Sequence, residues 1–288
     1  MTGAVHVIGA SGRTGAALVR ALLARDVPVT PVVRDPRRWQ ATAIAPHELL
    51  REPALADLTD GFALRRALAG ADRIVSTAHA RTTEWLLAAA PAEARLVLLG
   101  STRRFTRWLD AHGEGVLRGE TALRRSGRHG VMLHPTMIYG AQGENNVQRL
   151  AALLRRLPLV PLPGGGRALV QPIHQDDLSA CIVAALEVAW DAPHTLVVAG
   201  PSPLPYADFV RAVAAAAGLR RPRLVTVPAA LLMALAPLAS RLPGLPDVTI
   251  DEIRRLQEDK AFDIGPMQTT LGVRPISLQD GLIRTFSR

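Results

Sequence analysis

Three glycines, Gly9, Gly12 and Gly15, stand three residues apart, directly after the apolar run Val5–Ile8. An amphipathic stretch carrying Leu18, Val19, Leu22 and Leu23 follows them. Glycines at this spacing let a chain turn sharply out of a strand. They also bring backbone N–H groups and the positive end of the next helix up to a pyrophosphate. The strand before and the helix after are the context that confirms such a pattern, and Ser11, Arg13 and Thr14 fall inside the same loop. The residues after the next apolar run, 29–33, choose the dinucleotide. A carboxylate there hydrogen-bonds an unphosphorylated ribose, whereas an arginine takes a 2′-phosphate. The sequence reads Arg34-Asp35-Pro36, so NADP is preferred over NAD, with Arg13 in reach of the same phosphate. Asp35 argues for NAD unless it is spent shaping the turn before Pro36.

Chemistry beyond binding needs proton carriers, and the chain has few. Lys260 is the only lysine among 34 Lys and Arg residues, and Tyr139 and Tyr206 are the only tyrosines. A single cysteine, Cys181, excludes an internal disulfide and a multi-cysteine metal site, and its apolar neighbours mark it as core. His174 before Asp176-Asp177 reads as a metal or acid–base pair, or the carboxylates cap the helix starting near Leu178. The segment Pro163-Gly-Gly-Gly-Arg167 reads either as a backbone cradle that offers Arg167 to a diphosphate or as a plain connection. No G-x-S-x-G serine, H-E-x-x-H helix or P-loop lysine is present.

The elements that must position these groups alternate. Strands are expected at Val5–Ile8, Val29–Val33, weakly at 47–51, then at 73–77, 95–99, 130–134 and 195–199. Helices are expected at 61–69, 82–89, 114–126, 145–156 and 177–188. Apolar strands alternating with helices predict an α/β fold, a Rossmann-type doubly wound parallel sheet covered on both faces. Residues 157–166 are too rich in Pro and Gly for a central element and predict a loop at a lobe boundary. The expected organisation is one extended unit, 1–288. Its dinucleotide-binding core covers about 1–143 and 168–199, and a small C-terminal substrate lobe covers about 144–167 and 200–288.

A net charge of +9 invites a nucleic-acid reading, but the arginines come as scattered pairs on faces that read as solvated. No nucleic acid is expected. The longest apolar run, 227–239, is too short to span a bilayer and holds Pro228 and Pro237. With no signal-like start, the expectation is a cytoplasmic protein acting on a small molecule, with a homodimer left open.

These motifs together resemble the short-chain dehydrogenase/reductase superfamily, in its extended and atypical branch of NAD-dependent epimerase/dehydratases and nucleoside-diphosphate-sugar epimerase-like proteins. The resemblance covers nearly the whole chain. It implies that Asp57 and Leu58, in Ala56-Asp57-Leu58-Thr59-Asp60, contact the adenine, and that Thr77, Ala78 and His79 meet the nicotinamide ribose. Ser101 and Thr102 take the place of the catalytic hydroxyl. His134-Pro135-Thr136-Met137-Ile138-Tyr139-Gly140 is similar to the family's R-P-x-x-V-Y-G, which puts His134 and Pro135 at the cofactor and Tyr139 near the substrate. The stretches Pro172 to Leu178, Leu271 to Pro275 and Gln279 to Leu282 complete it.

The family's proton-handling Tyr and Lys, four residues apart, are missing. Glu120 fits the glutamate that follows that Lys by four positions, and counting back puts Val116 at the Lys and His112 at the Tyr. His112 either replaces the tyrosine as proton donor or is a surface histidine in a loop. Arg118 is the only stand-in for the lysine, able to hold ribose or phosphate oxygens but not to deprotonate. His79, His134 and solvent are the other donors. The implied function is an NAD(P)-binding epimerase/dehydratase-like or reductase-like protein for a nucleotide sugar or other small carbonyl compound, with non-standard or weak catalysis. The alternative is a dinucleotide-binding redox sensor or assembly protein without turnover.

Overall fold

The strands β1 (Val5–Ile8), β2 (Val29–Val33), β4 (Arg73–Ser76) and β6 (Gly130–Pro135) are buried at every position, and β5 (Arg95–Leu99) at all but Arg95. Runs hidden on both faces suit parallel strands sandwiched between helices. In this computed structural model, which describes residues 3–140, 146–157, 159–239 and 249–287, that is their arrangement. The intervening elements are α1 (Arg13–Leu23), α2 (Pro36–Gln40), β3 (Ala54–Leu55), α3 (Gly61–Ala67), α4 (Thr83–Ala89) and α5 (Ala111–Ser126). Next come β7 (Ile138–Tyr139), α6 (Asn146–Arg156), β8 (Leu159–Pro163), β9 (Leu169–Val170), β10 (Ile173–His174), α7 (Gln175–Glu187) and β11 (Pro193–Val198). The remainder is β12 (Leu204–Pro205), α8 (Tyr206–Ala216), β13 (Arg223–Val227), α9 (Ala229–Ala239), α10 (Ile250–Arg255), α11 (Gly265–Leu271) and α12 (Leu278–Phe286).

Seven strands form one sheet in the order β11-β6-β5-β4-β1-β2-β3, every pair parallel. The order reverses between β1 and β4, and a crevice opens at the carboxyl ends of the strands there. On one face Leu18, Val19 and Leu22 of α1 pack with Cys181 and Ile182 of α7 and Met267 of α11. On the other, Leu64 of α3, Leu86 of α4 and Val116 and Leu123 of α5 pack together. Outside the sheet, Tyr139, Val147, Ala151, Phe209, Val213 and Leu282 form a third apolar cluster.

Three local expectations change. Residues 47–51 make only an isolated bridge between Leu50 and Val29, and the sheet edge is β3, two residues long. Helix α5 starts at Ala111, earlier than 114, because the Asp110 carboxylate accepts the Gly113 N–H (2.9 Å) and caps it. Residues 159–163 are strand, pairing in parallel with β13 away from the central sheet. The expected boundary at 143/144 lies outside the described residues. Among the described residues no helix is long and apolar enough to cross a membrane.

Candidate active site

The glycine loop is built by close approach. Gly9 has φ +77°, a conformation L side chains rarely adopt, and its carbonyl accepts the Gly12 N–H (2.9 Å). A side chain on Gly15 would drive into the Gly9 carbonyl and lie 2.8 Å from Ala10 Cα. Helix α1 then begins at Arg13 with no acidic residue in its first turn and no side-chain cap, so its N–H groups and positive end remain available to an anion. The Thr77 hydroxyl at the end of β4 donates to the carbonyls of Ile8 (2.9 Å) and Gly9 (3.2 Å), tying the loop to the neighbouring strand. The cradle fits a dinucleotide pyrophosphate, and added β-carbons at Gly9, Gly12 or Gly15 would narrow it.

At the end of β2, Asp35 accepts N–H bonds from Arg37 (2.9 Å) and Arg38 (3.4 Å) as the cap of α2. Its Oδ1 is engaged in the turn. Arg34 is solvent-facing, 3.8 Å from Asp57. Asp57 in turn accepts the backbone N–H and hydroxyl of Thr59, and these bonds hold its carboxyl below the usual range. Leu58 packs beside the α3–α5 core.

Ser101 and Thr102 follow β5 and line a cavity of about 610 Å³. Their surroundings define them. The Ser101 N–H donates to His134 Nδ1 (3.2 Å), its Oγ accepts the Arg103 N–H (3.2 Å), and Thr102 Oγ1 donates to the Pro135 carbonyl (3.2 Å). The Ser101 hydroxyl keeps its proton to donate. His134, expected at the cofactor, is 1% exposed; its Nε2 lies 3.2 Å from Glu120, which also faces Arg104 Nε (2.6 Å) and Arg124 (2.9 Å). Burial opposes the Glu120 charge, but His134 and the two guanidiniums outweigh it and lower its pKa. His134 thereby lies buried between Ser101 and Glu120 and accepts the Ser101 N–H.

His112 lies in the first turn of α5 rather than in a loop, its ring edge-on to His79 with centroids 4.2 Å apart. Burial, then His79 and Arg103, push its pKa down to about 4. A neutral imidazole is a weaker proton donor near neutral pH than an imidazolium. His79 is also lowered, chiefly by burial, and its Nδ1 accepts the Arg81 N–H (3.1 Å). Val116, at the missing lysine's position, is core.

Two expected substrate residues are not with Ser101. Tyr139 is buried against Gly281 and His174, beside a second groove of about 530 Å³, and burial raises its pKa. Arg167 is exposed and donates to the Gly164 carbonyl (3.2 Å). His174 Nδ1, rather than either carboxylate, caps α7 by accepting the Asp176 N–H (3.2 Å).

The cavity's far wall was not legible in the sequence. It carries Arg149, Tyr206, Arg255, Glu258, Lys260 and Phe262. Asp110 binds Arg103 (3.1 Å) and Arg255 (2.9 Å), and Glu258 accepts from Thr106 Oγ1 (2.6 Å) and the Arg107 N–H (2.7 Å). The scarcity of Lys and Tyr was the one available signal for two of these residues.

Residues 9–148 match the family model described as NAD(P)H-binding. No curated protein matches the chain. Among solved structures, it is similar to an NADPH-dependent quinone oxidoreductase from Escherichia coli complexed with NADPH (TM-score 0.75, 18% identity, covering 98% of this chain and 100% of that one). It is also similar to UDP-glucuronic acid 4-epimerase from Bacillus cereus in complex with UDP-glucuronic acid and NAD (0.73, 18%, 99% and 98%). A nucleoside-diphosphate-sugar epimerase from Staphylococcus aureus aligns with TM-score 0.70 at 15% identity, covering 98% and 100%. The chain thus carries an NAD(P)H-binding domain at residues 9–148 and shares the Rossmann-like fold of these solved structures.

Proposed function

We propose that the protein is an NADPH-dependent reductase of a conjugated carbonyl compound, with quinones as the substrate class. The observation that carries this reading is helix α5. It holds core-packed Val116 and a neutral His112 where a tyrosine–lysine pair would manage a proton. Epimerisation of a sugar hydroxyl requires a base to remove a proton from an alcohol. A conjugated acceptor spreads the incoming charge and takes its proton from a weaker donor. A bound reduced nicotinamide supplies the hydride. The Ser101 hydroxyl orients the acceptor oxygen, and the His134–Glu120 pair fixes Ser101. The described residues within 146–167 and 200–287 supply the substrate-binding part. The similarity to the quinone oxidoreductase is consistent with this reading.

NADPH preference rests on exposed Arg34 and Arg13, with Asp35 engaged elsewhere. Arg34→Ala should weaken NADPH about tenfold, the scale of one charge-assisted hydrogen bond, and leave NADH unchanged in calorimetric titration. The function is tested by NADPH oxidation with menadione, beside an epimerisation assay with UDP-glucose. Menadione-dependent oxidation is expected. Epimerisation without it would favour the nucleotide-sugar reading, for which the guanidiniums of Arg103, Arg149 and Arg255 offer a diphosphate partner. Tight NADPH binding with neither activity would favour a non-catalytic dinucleotide binder.

A further inference from the structure

The cavity wall facing Ser101 carries the two residue types that α5 lacks. Lys260 is the chain's single lysine and Tyr206 one of its two tyrosines, and both line the same cavity as Ser101 and Thr102. Strand β9 brings them there. The Tyr206 N–H donates to the Ala168 carbonyl (2.9 Å), and the Lys260 N–H to the Leu169 carbonyl (2.8 Å). Carbonyls of consecutive extended residues point to opposite edges of a strand, so the two segments flank β9. The two segments are thus tied to opposite edges of the same short strand, and both side chains line the one cavity.

Lys260 is also held in place. Leu169 N–H donates to Asp259 Oδ1 (2.8 Å), and one Nζ proton of Lys260 goes to the Arg255 carbonyl (2.6 Å). Two ammonium protons remain for a ligand. Burial, Arg255 and Arg103 loosen the Lys260 proton while Glu258 opposes them, and the net pKa falls. The Tyr206 phenol, pushed up to about 12 by burial and Glu252, stays protonated as a hydrogen-bond donor.

We propose that Lys260 is the cation that holds and protonates the substrate's reacting oxygen, opposite Ser101 and beside the Tyr206 phenol. This rests on the reductase reading. As hydride from the reduced nicotinamide dinucleotide adds to the carbonyl system, an electron pair moves onto oxygen. That oxygen takes one Nζ proton, and the resulting neutral amine recovers a proton from water.

A single lysine makes the test direct. Biosynthetic labelling with ¹⁵Nζ-lysine gives a side-chain ammonium signal for Lys260 alone with its protons intact, and Lys260→Arg assigns it. The Lys260 resonance should titrate below a free lysine and shift when menadione is added with NADP⁺. Lys260→Met should lower kcat for menadione at least tenfold with NADPH affinity unchanged, which also certifies its fold. Lys260→Arg should restore KM but not kcat, because a guanidinium holds an oxygen without giving up its proton. A resonance that titrates as free lysine and ignores menadione, or wild-type turnover in Lys260→Met, overturns the assignment while the reductase reading stands. If the wild-type protein oxidises no NADPH, the reductase reading falls. The resonance then decides alone: a shift with menadione supports the contact, and no shift overturns it.

Discussion

At the scale of single residues, the site depends on where nitrogens point. His134 accepts from the Ser101 N–H on one side and faces Glu120 on the other, both from behind the cavity wall. Replacing it with alanine leaves the Ser101 N–H without an acceptor and removes a Glu120 partner. A loss of about 1–3 kcal/mol is expected, read by urea unfolding, together with weaker turnover at unchanged NADPH affinity. His112 gives a second test. Its pKa is about 4 in the folded chain against 6.5 for a free histidine. Between those values the unfolded state binds more protons, so stability falls as pH drops from about 6.5 toward 4. Across that window His112→Gln should flatten the decline in melting temperature, and an unchanged slope would contradict the depressed pKa.

At the scale of elements, α5 shows how packing decides which side chains a helix can carry. Val116 sits in the cluster with Leu64, Leu86 and Leu123. Introducing a tyrosine–lysine pair with His112→Tyr and Val116→Lys would bury an unpaired ammonium. That should cost about 3 kcal/mol or more and give a lower melting temperature rather than a gain in activity. The glycine loop makes the opposite point. Gly15→Ala would force α1 away from the Gly9 carbonyl, so NADPH affinity should fall well over tenfold. Both elements were legible in the sequence because their signals are local: a strand, three glycines and an amphipathic stretch, or a Glu120 four residues beyond Val116. The start of α5 was misplaced by three residues because Asp110, the cap, precedes a glycine-rich stretch that looks like loop.

At the scale of the molecule, the two sides of the cavity are joined by charge. Asp110 caps α5 and binds Arg103 and Arg255, although Arg255 is 145 residues away along the chain. Burial works against its charge, but the Gly113 N–H and both guanidiniums outweigh that and keep its carboxyl low. Asp110→Asn should loosen α10 first, seen as faster hydrogen exchange over residues 250–260 with the sheet still protected. The parallel sheet was readable from its apolar runs. The cavity's far wall was not, because Lys260 and Tyr206 reach it only through β9, a strand of two residues that no periodicity marks.

The strand order also imposes a schedule on the ribosome. Strands β1 to β6 emerge within the first 135 residues and make up the whole sheet but one edge strand, while β11, which covers the outer edge of β6, begins only at Pro193. During that interval the nascent sheet presents β6, a largely apolar strand, as an unpaired edge of the kind that recruits other chains. Overproduction should therefore be most vulnerable to aggregation before residues 193–198 are made. Slower translation would lengthen the exposure instead of relieving it, and a chaperone that binds extended apolar segments should be found on stalled chains ending near residue 170.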